Sequence, residues 1–339
     1  MNKELKVAVI GLGQGWHHAK AYQKVEGIVL VRLCDVNTDR LYRAMREFSV
    51  PDGTTDLSEI VQDPTIDLVS ICTPNHLHYE HALPLLQSGK HVLIEKPMTT
   101  RLDQALELVD LAYKKGCLIS VGMVLRFVPS FYRLVAWLRQ ERLGRIFYIE
   151  GRYLHDVKDI RLLLPSHQWW REAEMLFAGG VHPLDLMMWA MGDINEVYAL
   201  ANHTGNLPEL RVPDQIVMLA KFRHGAIGKV WTNVGINGGT GNTLTVAGQK
   251  GTVHADPSGW EVYLSDDIFQ PPYGKAGYWR IPFQTDGSPL DALIQDVCWA
   301  IREGRQPLIT GTDGARCVAV LEAGVRSYQT GEPQKVPSV

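Results

Sequence analysis

Glycines at the exit of one apolar run, with an acid at the exit of the next, are the chain's first sign of chemistry. Gly11-Leu12-Gly13-Gln14-Gly15-Trp16-His17-His18 follows the apolar run 5–10. The spacing approaches G-x-G-x-x-G, with Trp16 at the third glycine position and Gly15 one place early. Gly11 suits a tight turn, and Gly13 lets backbone N–H groups approach a pyrophosphate at a helix N-terminus. Asp35 closes the run 28–34, where a carboxylate accepts hydrogen bonds from adenosine ribose hydroxyls. Its charge repels a 2′-phosphate, so NAD is expected over NADP. Lys96, in Glu95-Lys96-Pro97, stands at the end of the run 91–94, and a lysine at the carboxyl end of a parallel strand faces the ligand crevice. His76, His78, Glu80 and His81 have a spacing that could gather a metal ion. No distant Cys or Asp cluster completes such a site, and no metal is expected.

These residues need a scaffold that brings strand exits together. Short apolar runs at 5–10, 28–34, 67–72, 91–94 and 117–121 alternate with helical patterns at 16–25, 39–48, 76–87 and 102–115. Runs apolar on both faces, separated by helices, predict parallel strands with right-handed crossovers. Beyond Gly122 the alternation stops. A helix is predicted over 129–142, then strands at 146–153, 197–201, 215–222, 226–234, 242–246, 252–255 and 260–264. Turns at 222–226 and 248–251 read as hairpins, so this sheet should be open and mostly antiparallel. Helical spacing returns at 291–302 and 311–328. The expected fold is α/β: a Rossmann parallel sheet over 1–122, and an α+β domain for substrate binding and oligomerisation over 123–339.

Composition narrows the function classes. The 339 residues carry a net charge of −3, which lacks the cationic surplus of a nucleic-acid binder. The five cysteines are odd in number and include no C-x-x-C pair, so neither a disulfide framework nor a zinc site is expected. No apolar run reaches a membrane span of about 18 residues. The start turns into glycines too early for the pattern of a signal peptide, and a cytoplasmic, small-molecule-directed protein is expected.

Thr73-Pro74-Asn75-His76-Leu77-His78 and Gly89-Lys90-His91-Val92-Leu93-Ile94-Glu95-Lys96-Pro97, taken with the glycine loop, resemble the glucose-fructose oxidoreductase / inositol dehydrogenase / MocA (Gfo/Idh/MocA) family over essentially the whole chain. The resemblance implies a Rossmann domain joined to a domain with a large open sheet. It implies that Lys96 sits beside the nicotinamide and the reacting alcohol, with a cis bond to Pro97. It places Thr73, Pro74, Asn75, His78, Glu95, Pro97 and Arg126 around the cofactor. Gly179-Gly180-Val181-His182 is similar to the family segment whose histidine binds substrate hydroxyls and assists proton transfer, so His182 is the second catalytic candidate. The family acid four residues earlier is replaced by Ala178. Asp156, Asp159, Glu172 and Glu174 are the candidates for its substitute. Tyr153 and His155, ending the first strand of the second domain, and Trp169 and Trp170, whose flat faces suit a sugar ring, complete the substrate set.

The implied activity is NAD(H)-dependent oxidoreduction of a secondary alcohol on a sugar, polyol or sugar derivative. Burial and a neighbouring pyridinium charge would make Lys96 a base. Two alternatives remain open: a redox-assisted lyase or glycosidase that retains NAD, and a non-catalytic NAD-binding sensor motivated by Ala178. The open sheet leaves a face for a second copy, so a homodimer or homotetramer is expected.

Overall fold

The computed structural model describes residues 4–157, 165–265, 278–284 and 287–339. The chain divides into two compact units. The first comprises Met1–Val124 and Gly287–Val318, and the second Leu125–Asp286 and Ala319–Ser338.

The predicted apolar runs form the first unit's parallel sheet. Its strands are β1 (Leu5–Ile10), β2 (Ile28–Cys34), β3 (Asp52–Thr54), β4 (Leu68–Ile71), β5 (His91–Ile94) and β6 (Ile119–Val121), in the order β3-β2-β1-β4-β5-β6. Strand order reverses between β1 and β4, so crossovers leave a crevice at their carboxyl ends. β3 has only three residues and no apolar periodicity, which hid it from sequence reading. The helices are α1 (Gly15–Tyr22), α2 (Thr38–Phe48), α3 (Leu57–Gln62), α4 (His78–Gln87) and α5 (Leu102–Lys115). Their ends carry local signals: Asn37 caps α2 by accepting Arg40 N–H at 2.8 Å, and Gly116 closes α5 in the left-handed region.

The second unit contains α6 (Pro129–Arg139), β7 (Ile146–Leu154), α7 (Val181–Met191) and the strands β8 (Ile194–Asn202), β9 (Gln215–Phe222), β10 (Ile227–Asn233), β11 (Gly241–Gly248), β12 (Gly251–Asp256), β13 (Gly259–Leu264) and β14 (Tyr278–Pro282). Helices α8 (Pro289–Glu303) and α9 (Gly311–Thr330) follow, then β15 (Gln334–Lys335). The nine strands order as β14-β13-β12-β11-β7-β10-β9-β8-β15. The hairpins β9–β10 and β11–β12 form as predicted. β7 lies between them, parallel to β10 and antiparallel to β11.

Residues 123–339 were expected to form one domain, yet Gly287–Val318 packs in the first unit. Polar ties hold it there. Arg302 donates from Nη1 to Glu26 O at 2.9 Å and from Nη2 to Gly27 O at 2.5 Å, and Ser120 Oγ donates to Ile309 O at 2.8 Å. α9 then carries the chain back into the second unit.

Candidate active site

In the first unit the glycine loop opens α1 directly. Gly11 has φ +81°, and a Cβ there would lie 2.7 Å from Cys72 O, so only glycine fits. At Gly13 a Cβ would meet nothing within 4 Å, which leaves an open cradle over the loop's backbone. Gly15 is the first residue of α1, and a Cβ there would stand 2.7 Å from Val9 Cγ1. It therefore does the work of the third glycine, close packing of helix on strand, in a loop one residue short of G-x-G-x-x-G. Trp16 is displaced from that contact: it packs edge-on against Phe48 at 4.9 Å, with the Arg43 guanidinium over its ring at 5.0 Å. A hollow of about 520 Å³ opens beside the loop, lined by Leu12, Gly13, Trp16, His17, Arg40 and Arg43 among others. These features fit a dinucleotide.

Asp35 is 5 % exposed. Its Oδ2 accepts Leu12 N–H at 2.7 Å, its Oδ1 accepts Asn37 N–H at 2.8 Å, and Arg40 Nη1 lies 3.1 Å from Oδ2. The carboxylate thus fixes the glycine loop. With about four lone-pair sites, it keeps capacity for a ribose hydroxyl.

Thr73, Pro74 and Asn75 form the half-buried turn after β4. His78 was expected at the cofactor; it is completely buried instead. Its Nδ1 faces Pro97 O at 2.7 Å and its Nε2 faces Thr73 O at 2.9 Å. Burial lowers its proton affinity, and the two carbonyls partly restore it. His78 is thus a clamp between the Thr73 turn and the Lys96–Pro97 segment, whose peptide bond is cis. His81 Nδ1 lies 3.0 Å from Thr73 Oγ1. Among the described residues no cluster of His, Cys, Asp and Glu is arranged to hold a metal ion.

Lys96 leaves the carboxyl end of β5, and its N–H donates to Glu95 Oε2 at 3.1 Å. Glu95 Oε1 meets His18 Nε2 at 3.0 Å. His18 Nδ1 lies 3.1 Å from Ser70 Oγ, which lies 2.7 Å from Tyr22 OH. Burial pushes the Glu95 carboxyl up, but the His18 hydrogen bond, the nearby Lys96 charge and the Lys96 N–H outweigh it and bring it to about 2. Sequence reading missed His18, Ser70 and Tyr22. The available signal was His18 itself, a polar residue on the same α1 face as the buried Ala19 and Tyr22.

The second unit presents His182 in the first turn of α7, directly after a π-helical turn at Leu176–Gly180. Such turns are rare and recur at functional sites. Tyr153 stacks on His182 at 6.0 Å between centroids and meets the His155 ring tilted at 4.2 Å, so β7 and α7 gather three of the expected substrate residues. Gly179 permits this, since a Cβ there would lie 2.4 Å from the Tyr153 ring. Trp170 is buried and Trp169 half-exposed, with their rings 5.8 Å apart. Trp170 belongs to the core; only Trp169 keeps an open face.

Arg126 was expected at the cofactor. Its guanidinium instead forms a buried bidentate pair with Asp185 of α7, with Nη2–Oδ1 at 2.6 Å and Nε–Oδ2 at 2.9 Å. Trp189 covers it at 5.4 Å. The pair ties the first turns of α7, and so His182, to the segment before α6. Asp185 was missed, although an acid within the apolar helix 181–191 demands a cation. Ala178 is buried within the π-turn. Among the candidate substitutes for its missing acid, Glu174 accepts the Tyr328 hydroxyl, Glu172 pairs with Arg211 at the surface (2.5 Å), and Asp156 is exposed. Asp159 lies outside the described residues.

The chain is similar to known proteins in sequence and in fold. The family description "Oxidoreductase family, NAD-binding Rossmann fold" matches residues 5–123, and "GFO/IDH/MocA C-terminal domain" matches residues 131–254. Levoglucosan dehydrogenase of Pseudarthrobacter phenanthrenivorans is 24% identical over 99% of this chain and 99% of its own. Myo-inositol 2-dehydrogenase of Thermotoga maritima is 23% identical over 99% of both. The solved structure of levoglucosan dehydrogenase in complex with NADH superposes with a TM-score of 0.87 at 24% identity, over 99% of this chain and 100% of that one. With its Rossmann sheet, glycine cradle and nine-stranded second sheet, the chain belongs to the Gfo/Idh/MocA family of NAD-binding oxidoreductases.

Proposed function

We propose that the protein oxidises or reduces a secondary alcohol on a sugar, polyol or sugar derivative, using NAD(H). The observation that carries this reading is Lys96, an amine leaving the carboxyl end of β5 one strand beyond the β1/β4 switch point, where open α/β sheets bind ligands. When bound, NAD supplies the hydride acceptor. Lys96 takes the substrate hydroxyl proton on oxidation and returns it on reduction. His182 hydrogen-bonds a substrate oxygen. Tyr153, His155 and Trp169 form the wall against which a sugar's C–H face rests. Gly11, Gly13 and Gly15 shape the pyrophosphate cradle, and Asp35 holds it. Thr73, Pro74 and Asn75 shape the turn beside Pro97. The names of the relatives, a levoglucosan and an inositol dehydrogenase, support a cyclic polyhydroxy substrate.

The second unit's sheet exposes Phe147, Leu200, Leu219, Ile227 and Tyr263, a face suited to a second copy of the chain. A homodimer or homotetramer joined through it is the proposed assembly, and light scattering showing a monomer at micromolar concentration would count against it. All five cysteines are free, which suits a reducing cytoplasm. The functional test is incubation with NAD and a panel of sugars, anhydrosugars and inositols, following both NADH absorbance and product mass. Hydride transfer without a ketone product, or elimination without net NADH, refutes the proposal.

A further inference from the structure

The hydroxyls of Tyr22 and Ser70 and the imidazole of His18 form a buried chain ending on Glu95. Its donor count has a direct solution. Tyr22 O–H donates to Ser70 Oγ, Ser70 O–H donates to His18 Nδ1, and His18 Nε2–H donates to Glu95 Oε1. Every hydrogen is then used with the imidazole in its neutral form. Were Nδ1 also protonated, Ser70 Oγ would accept from both Nδ1–H and Tyr22 O–H, and the Ser70 hydrogen would drop out of the chain. The dipoles therefore all point towards the carboxylate, and each polarises the next.

The other oxygen of Glu95 accepts the Lys96 N–H. Around the carboxylate the backbone comes close as well: a Cβ at Gly122, after β6, would lie 3.0 Å from it. The Glu95 side chain keeps 13% exposure. It is shielded enough for its charge to act strongly, and it stands directly after the carboxyl end of β5. Lys96 carries the opposite charge beside it when protonated. The negative field is therefore fullest when Lys96 is neutral, the state in which it can accept a proton.

The two forms of the dinucleotide differ by one charge at the nicotinamide ring, cationic when oxidised and neutral when reduced. We infer that Glu95, aligned by the His18–Ser70–Tyr22 chain, sets the preference of this site for the oxidised over the reduced dinucleotide. This rests on the dinucleotide occupying the crevice at the strand ends of the first unit. Glu95 is thus a determinant of which cofactor form the free enzyme holds, and with it of the direction in which the enzyme is poised.

The test is calorimetric titration of the full chain and its Glu95→Gln variant with NAD+, NADH and ADP-ribose, which lacks the ring. Glutamine keeps the size of the side chain, accepts from Lys96 N–H, and can donate to His18 if the chain reverses. The dissociation constant for NAD+ should rise on the order of tenfold, the size of one partly shielded charge contact. NADH and ADP-ribose should change by less than about twofold. Glu95→Asp keeps the charge and should hold the NAD+/NADH ratio near that of the wild type. Should Glu95→Gln lose its fold, Glu95→Ala must give the same shift. An unchanged ratio, or equal weakening of all three ligands, overturns the inference while leaving the cofactor reading intact. Failure of the wild type to bind any of the three overturns both.

Discussion

The pair Arg126–Asp185 offers the sharpest quantitative test of how the second unit holds its site. Arg126 is 3% exposed and Asp185 1%, and the guanidinium meets both carboxylate oxygens at 2.6 to 3.1 Å. Substituting Arg126 by methionine keeps an apolar body against Trp189 but leaves a carboxylate in the interior without its guanidinium. Breaking a buried pair from one side typically costs about 3–5 kcal/mol. For a unit of this size, each kcal/mol lowers the melting temperature by about 2–4 °C. Arg126→Met should therefore melt roughly 6–20 °C below the wild type by calorimetry. The double variant Arg126→Met/Asp185→Leu removes both charges and should recover most of the loss, because a buried pair and an apolar replacement are close in free energy. If the single variant falls by less than about 1 kcal/mol, or the double variant is no better than the single, the pair does not anchor α7 as described.

Lys96→Met should lower hydride transfer about a hundredfold to ten-thousandfold while NADH still binds. His182→Asn should cost less, since no carboxylate stands at Ala178 to stabilise its imidazolium; rates on one confirmed substrate decide, and a Lys96→Met enzyme with most of its activity removes the assignment. Asp35→Ser should narrow the preference for NAD over NADP and weaken both, because Leu12 N–H and Asn37 N–H lose their acceptor; a wild type that already uses NADP equally well contradicts the role given to Asp35. Glu95 is lowered in the fold from the ordinary 4.5 to about 2, so its contribution to stability is complete above about pH 4.5 and is lost as the pH falls towards 2. The stability gap between wild type and Glu95→Gln, followed by urea denaturation, should accordingly shrink below pH 4.5; a gap that stays constant or widens there would show that the carboxylate is not held ionised by its surroundings.

What the amino-acid sequence determines by itself is local. Apolar runs ending in glycine, Asp35 and Lys96 mark strand exits, because a strand buried on both faces must be apolar and the polar residue that ends it meets the crevice. The Thr73-Pro74-Asn75 turn, the Glu95-Lys96-Pro97 exit and the helix carrying His182 are legible for the same reason: their signals lie within a few residues of one another. Tertiary structure alone decides what lies far apart in the chain. Gly15, read as one place early, becomes the close-packing glycine because Val9 stands 2.7 Å from where its Cβ would be. β7 takes a place between two hairpins, one of them some 60 residues and the other some 90 residues downstream, and Gly287–Val318 returns to the first unit through Arg302 and Ser120. The roles of His78 and Arg126 change for the same reason. Each was matched by position to a ligand, and each is claimed instead by a distant group, Pro97 O for one and Asp185 for the other, since a buried polar group must be satisfied by whatever the fold brings to it. Sequence spacing shows which residues carry chemistry; only the packed structure shows which of them have capacity left for a ligand.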